Sequence, residues 1–247
     1  MKYLLTLMIL SITFLPEVKR FDEAFPSNAL EGAWEMKAVN GRSPDSRAVL
    51  LIESPYVFYT EFDVDQKTFV GSQGGAVEII ANKLFYTTEF NTWDSNQVGV
   101  KMEMTAELKA NELTLHYTNE GETTTLVFDR IDNGTGDLAG AWRITDRMQN
   151  DEMRAMPQGD RKTIKMITGS RFQWAAFNPA TKQFSGTGGG TVTVENGNYT
   201  EHIEFFSRNS ERVGASLSFN YKVDGNKWEH SGLSSSGSPI KEIWTRQ

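Results

Sequence analysis

Apolar and polar residues alternate with period two over many short runs of this chain, and no long run has helical apolar spacing, so the pattern predicts strands joined by turns. From Gly140 onward eight such runs follow one another: "GAWRITD", "KTIKMIT", "RFQWAAF", "GGGTVTVE", "YTEHIEFF", "VGASLSFNYKV", "KWEHSG" and "PIKEIWTR". The turn signals "NPAT", "ENGN" and "VDGN" fall between them. Eight short sequential strands predict an up-and-down antiparallel barrel, which leaves no exposed sheet edge.

The pattern occurs twice. "LIESPYVFYTEFDVDQKTFVGSQGGAVEI", from Leu51, lies without a gap over "MITGSRFQWAAFNPATKQFSGTGGGTVTV", from Met166. Phe62 falls on Phe177, Phe69 on Phe184, Gly74 on Gly189 and Gly75 on Gly190, and the same offset still matches Glu89-Phe90 to Glu204-Phe205. The chain is a tandem duplication. The first copy spans 30–131 and the second 138–247, joined by the turn-rich "DNGTGD". The fold class expected is all-β, two tandem eight-stranded barrels.

"LEGAWEMK" and "LAGAWRIT" open the two copies with Gly32-Ala33-Trp34 and Gly140-Ala141-Trp142, and each copy has an Arg on its last strand, Arg130 in "LVFDRI" and Arg246 in "IWTRQ". In this the chain resembles the calycin superfamily, in particular the lipocalin-like domains of secreted bacterial proteins. The resemblance implies that Trp34 with Arg130, and Trp142 with Arg246, form the barrel floors. A cation–π contact in such a dry place contributes about 1 to 2 kcal/mol.

Strand parity, with the Trp and terminal Arg taken as inward markers, sorts the rest. The first copy then turns inward an apolar set running from Trp34, Leu50, Ile52, Val57 and Tyr59 to Leu126 and Phe128, which reads as a packed interior. The second turns inward Phe172, Trp174, Tyr199, Tyr221, Trp228 and Trp244, but also Glu201 where the first has Tyr86, His230 where it has Leu115, and Glu242 where it has Leu126. Buried carboxylates persist only if they are paired, hydrated or meet a ligand. Aromatic walls with a few convergent polar groups make a small-molecule pocket, so the candidate ligand site is Glu201, His230, Glu242, Tyr199, Trp174, Tyr221 and Trp228. Its carboxylates are expected to meet polar or cationic groups of the ligand, unless the three ionisable groups satisfy one another. His116 and His202 fall on the outward face.

The remaining readings are exclusions and alternatives. A net charge of −7 and a pI near 5.1 argue against sequence-independent nucleic-acid binding. The absence of Cys rules out disulfides, thiol nucleophiles and a lipid anchor on Cys. One His and two Glu fall short of a metal set, and "GSQGG" and "GTGGG" lack the following Lys-Ser or Lys-Thr of a phosphate loop. Those glycine runs read as barrel bulges, and no cofactor or metal is expected. The insert "RMQNDEMRAMPQGDRK" suggests either a lid carrying Met148, Met153 and Met156 or an ordinary surface loop.

Residues 1–20, one Lys followed by a short apolar run, read as a signal peptide whose cleavage site is not marked; the mature chain is expected to be secreted or periplasmic, with no membrane span. Together these features lead to a non-enzymatic binding protein holding a small apolar or amphipathic molecule in the second copy. The competing readings are an enzyme using Glu201, His230 and Glu242 as acid and base groups, and a surface interaction module with both barrels filled.

Overall fold

The computed structural model describes residues 24–234 and 236–247, so the expected signal peptide lies outside the described residues. The first eight strands are β1 (Gly32–Val39), β2 (Arg47–Glu53), β3 (Tyr56–Asp63), β4 (Thr68–Ile80), β5 (Lys83–Asn91), β6 (Lys101–Lys109), β7 (Glu112–Asn119) and β8 (Glu122–Asp132). Each pairs antiparallel with the next, and β8 returns to β1 to close a barrel. Hydrophobic alternation produces this result: every position assigned inward in the first copy belongs to one core, from Trp34, Leu50 and Ile52 to Leu115 and Phe128.

The second barrel uses β9 (Gly140–Gln149), β11 (Lys162–Ile167), β12 (Arg171–Asn178), β13 (Gln183–Glu195), β14 (Asn198–Phe206), β15 (Ser216–Asp224), β16 (Lys227–Leu233) and β17 (Pro239–Arg246), and closes by pairing β17 with β9. One further strand, β10 (Glu152–Ala155), pairs only with β9 and lies outside the barrel wall. It is made from the insert. Met153 sits opposite Met148 on this hairpin and both are exposed, whereas Met156 packs against the interior of barrel two. Only the third of these methionines is placed as a lid contact.

The two floors match. Trp34 Nε1 donates to the Leu30 carbonyl at 2.9 Å, and Trp142 Nε1 to that of Leu138 at 2.9 Å. The Arg130 guanidinium lies 3.9 Å from the centre of the Trp34 ring, and that of Arg246 lies 4.1 Å from the Trp142 ring. Each Arg also donates to backbone carbonyls beneath the barrel, Arg130 to Ala29 and Glu31 and Arg246 to Ala139. A planar guanidinium suits this combination of ring stacking and hydrogen bonding, and Arg246, being exposed, makes its contact outside the dry setting expected.

The glycine runs are bends. Pairing shifts register between Gly74 and Gly75 against β5, and between Gly189 and Gly190 against β14. A Cβ on Gly75 would stand 2.0 Å from the Thr87 carbonyl oxygen, and one on Gly190, at φ +159°, 2.0 Å from that of His202. Only glycine lets the strands approach this closely.

Outward positions near these bends join the barrels. Phe58, Phe62 and Phe90 of the first pack with Ile164, Met166, Phe177 and Phe205 of the second in one buried cluster. The contact has an approximate two-fold symmetry. Phe62 meets Phe205 with ring centres 4.9 Å apart, and Phe90 meets Phe177 at 4.9 Å. Arg47 pairs with Glu204 at 3.3 Å, and its repeat counterpart Lys162 pairs with Glu89 at 2.7 Å. Residue i contacting j while j contacts i is the geometry of an isologous interface. One pin breaks the symmetry: Gln173, buried where the first copy has Phe58, bonds to Thr60 at 2.8 Å and to Ser72 at 3.0 Å.

The connection between the barrels is fixed at Asp132. Its carboxylate accepts from Thr168 Oγ1 at 2.7 Å, Ser170 Oγ at 2.6 Å and the backbone N–H groups of Gly134, Gly169 and Ser170. Burial pushes this carboxyl up, but the hydrogen bonds outweigh burial and hold it below its ordinary value. Nearby, Glu53 has no such support. It is buried with Oε1 unpartnered, and burial, reinforced by Glu31 and Asp132, pushes its carboxyl up to about 9.

Candidate functional site

Barrel two encloses a cavity of about 340 Å³. Its apolar wall comes from Ile144, Phe172, Trp174, Ile203, Phe219 and Trp244. Glu201 on β14, His230 on β16 and Glu242 on β17 enter it from three strands, all at 5 % exposure or less. Strand parity therefore placed the ionisable residues correctly, and Trp174 with them. The other three expected ligand contacts are placed elsewhere. Tyr199 and Trp228 are fully buried and pack around His230, among the residues beneath the cavity, and do not line it. Tyr221 also lies off the lining, with its hydroxyl bonded to Asp137 in the connection between barrels at 3.1 Å. Trp228 packs edge-on against the floor residue Trp142, with ring centres 5.6 Å apart, so these rings fill the floor end of the barrel.

Two cations that the sequence reading passed over complete the site. Lys165 on β11 is buried, and its Nζ donates to Glu201 Oε1 at 2.7 Å. Its ammonium also lies 5.2 Å from the Trp244 ring, 5.4 Å from Trp228 and 5.9 Å from Tyr199, an aromatic box around a desolvated charge. Arg147 on β9 donates to Glu242 Oε1 from Nε at 2.9 Å and from the terminal nitrogen at 2.5 Å, while Trp244 Nε1 donates to Glu242 Oε2 at 3.1 Å.

Both carboxylates are thus paired with cations of the barrel itself, Glu201 with the buried Lys165 and Glu242 with the half-exposed Arg147. They do not stand free for a cationic ligand group, as the sequence reading expected. Arg161 and Arg208 line the same cavity, so positive charge is in excess there.

His230 is different. Tyr199 Oη lies 2.7 Å from its Nδ1, and Nε2 is buried without a hydrogen-bond partner, 3.5 Å from Glu242 Oε2. Burial, with Lys165 and Arg147 adding to it, pushes the imidazolium well below its ordinary range, so the ring is neutral. Burial likewise raises the Tyr199 phenol, with Glu201 and Glu242 adding to it, so the hydroxyl keeps its proton. The proton position follows from electrostatics. A bare Nε2 lone pair would face the Glu242 carboxylate, whereas an Nε2–H is attracted to it, so Tyr199 donates to Nδ1 and Nε2 carries the hydrogen. That N–H is a buried donor beside the cavity whose 3.5 Å approach to Glu242 does not form a hydrogen bond.

His116 and His202 are half-buried and lie off both cavities, with Nδ1 bonded to Thr125 and Ser216 respectively. Among the described residues no group of three or more His, Asp or Glu side chains is placed to hold a metal ion. No helix among them is long and apolar enough to cross a membrane.

The signal for Lys165 was present in the sequence, because the gap-free repeat sets it over Leu50 of the first copy. Arg147 was hidden by geometry. Pairing of β9 with β17 slips between Ile243 and Trp244, opposite Asp146 and Ile144, and this bulge reverses parity before Arg147. No protein-family model matches the chain, and no curated protein matches it.

Proposed function

We propose that this chain is a secreted or periplasmic binding protein of the lipocalin-like type, and that barrel two holds one small amphipathic molecule. The observation that carries this reading is the His230 Nε2–H, buried beside a roughly 340 Å³ cavity and making no hydrogen bond among the described residues, with Glu242 Oε2 3.5 Å away. A buried donor left unpaired costs about 1 to 3 kcal/mol, and an oxygen of a bound molecule removes that cost. The aromatic and aliphatic wall takes the apolar body, and the surplus cations Arg161 and Arg208 favour an acidic or strongly accepting polar end. Acid and base catalysis is the weaker reading. Glu201 and Glu242 are held in ion pairs and His230 is held neutral, which suits hydrogen bonding better than proton exchange.

Native mass spectrometry of the chain purified from its own host, beside a His230→Leu variant, tests the proposal. The expected result is a co-purifying small molecule in the wild type and its loss, or a clear drop in occupancy, in the variant. A spectrum of the protein mass alone, with no rise in melting temperature on adding a small-molecule extract of the host, would overturn it.

A further inference from the structure

We propose that barrel one is a second binding site, for a neutral, mainly apolar molecule of one-ring size that carries a hydrogen-bond acceptor. This does not depend on the reading of barrel two. The sequence predicts a packed apolar interior here, but the barrel holds a cavity of about 200 Å³. Protein interiors are packed as densely as organic crystals, so a void of this size forgoes many contacts. An apolar cavity of about 150 Å³ already accepts benzene.

The chemistry of the wall selects the occupant. Met36, Leu50, Val57, Met102 and Leu126 are among the lining residues, Gln73 adds a neutral amide, and among the described residues no Asp, Glu, Lys, Arg or His lines it. A charged ligand would lose its hydration and find no counter-ion. The lining does include Tyr86, whose side chain is buried and whose hydroxyl makes no well-formed hydrogen bond, with Thr88 the polar side chain beside it. Burial raises the phenol far above its ordinary range, so the hydroxyl is a donor at any ordinary pH. At Tyr59, another lining residue, the indole of Trp93 packs with ring centres 6.1 Å apart. Trp93 is 45 % exposed and occupies the repeat position that Arg208 holds in barrel two. Barrel one thus has an aromatic neighbour where barrel two has a cation.

Methionine methyl groups distinguish the barrels: Met36, Met102 and Met104 line the first cavity and Met156 the second. The experiment is an NMR titration of the full chain, labelled with 13C at the methionine methyls, using acetophenone, ethylbenzene and benzoate as probes. Acetophenone is expected to shift the Met36, Met102 and Met104 signals saturably while Met156 stays in place, and benzoate to leave those three signals unmoved. Tyr86→Phe is expected to weaken acetophenone about fivefold to tenfold and to leave ethylbenzene within about twofold. The proposal is overturned if acetophenone moves only Met156 or no methionine, if benzoate moves the barrel-one signals as strongly, or if Tyr86→Phe leaves acetophenone affinity unchanged.

Discussion

Barrel one and barrel two place side chains at the same points of a shared frame, with matching floors at Trp34 and Trp142 and matching bends at Gly75 and Gly190. Interior points differ in chemistry. Where the first barrel has Val39, Leu50, Tyr86, Leu115 and Leu126, the second has Arg147, Lys165, Glu201, His230 and Glu242. Buried ion pairs contribute little net stability compared with well-packed apolar groups of similar volume. The apolar barrel demonstrates that this frame closes without them. Closing the frame therefore does not require the polar set of barrel two, in keeping with the binding role proposed for its cavity.

The sharpest way to break the comparison is to make barrel two resemble barrel one at a single point. Lys165→Leu leaves Glu201 buried and unpaired, and should cost about 3 to 5 kcal/mol in denaturant unfolding. The double variant Lys165→Leu, Glu201→Tyr copies the first barrel at both points and should recover most of that loss. Equal stability of the single and double variants would show that the pair is not coupled.

A somewhat smaller effect is expected at Glu53, whose repeat counterpart is the well-bonded Thr168. With its carboxyl raised from 4.5 to about 9, the folded chain holds a proton that the unfolded chain releases between those values. Stability therefore falls as pH rises through that window. Glu53→Gln should remove this slope and stabilise the protein by about 3 kcal/mol at pH 7, read from unfolding curves at several pH values.

The smallest effect concerns His230 and has the opposite sign. Its folded value lies below the ordinary 6.5, so as pH falls past 6.5 the unfolded chain gains a proton that the folded one refuses. Stability should then drop by about 1 kcal/mol per pH unit below 6.5, and His230→Leu should flatten that limb. An unchanged acid limb in the variant would place the titration elsewhere.

The frame was legible in the sequence because period-two alternation and a gap-free repeat are properties of single strands and of the chain compared with itself. Glu201, His230 and Glu242 were legible for the same reason, since each stands over an apolar residue of the first copy. What stayed hidden depends on how strands pair. The bulge that turns Arg147 inward is a register slip between β9 and β17, and a parity count along one strand cannot see it. Tyr199 and Trp228 are inward as parity requires, but depth along the barrel axis, not facing, keeps them off the cavity. The outward phenylalanines that join the barrels, such as Phe62 and Phe177, alternate as any strand residue does and carry no local mark of their partner.

The two-fold contact between the barrels also bears on stoichiometry and inheritance. Two free copies of one barrel, meeting through such a face, would always present identical interiors, and any change in one would appear in both. Joined in a single chain, the halves find each other at the high effective concentration of a short tether. Each molecule then carries one of each cavity, and Leu50 and Lys165 can hold the same place in the frame while serving different interiors. The shared face keeps the pairing even where it has itself changed, as at Phe58 and Gln173, while the interiors on either side diverge further.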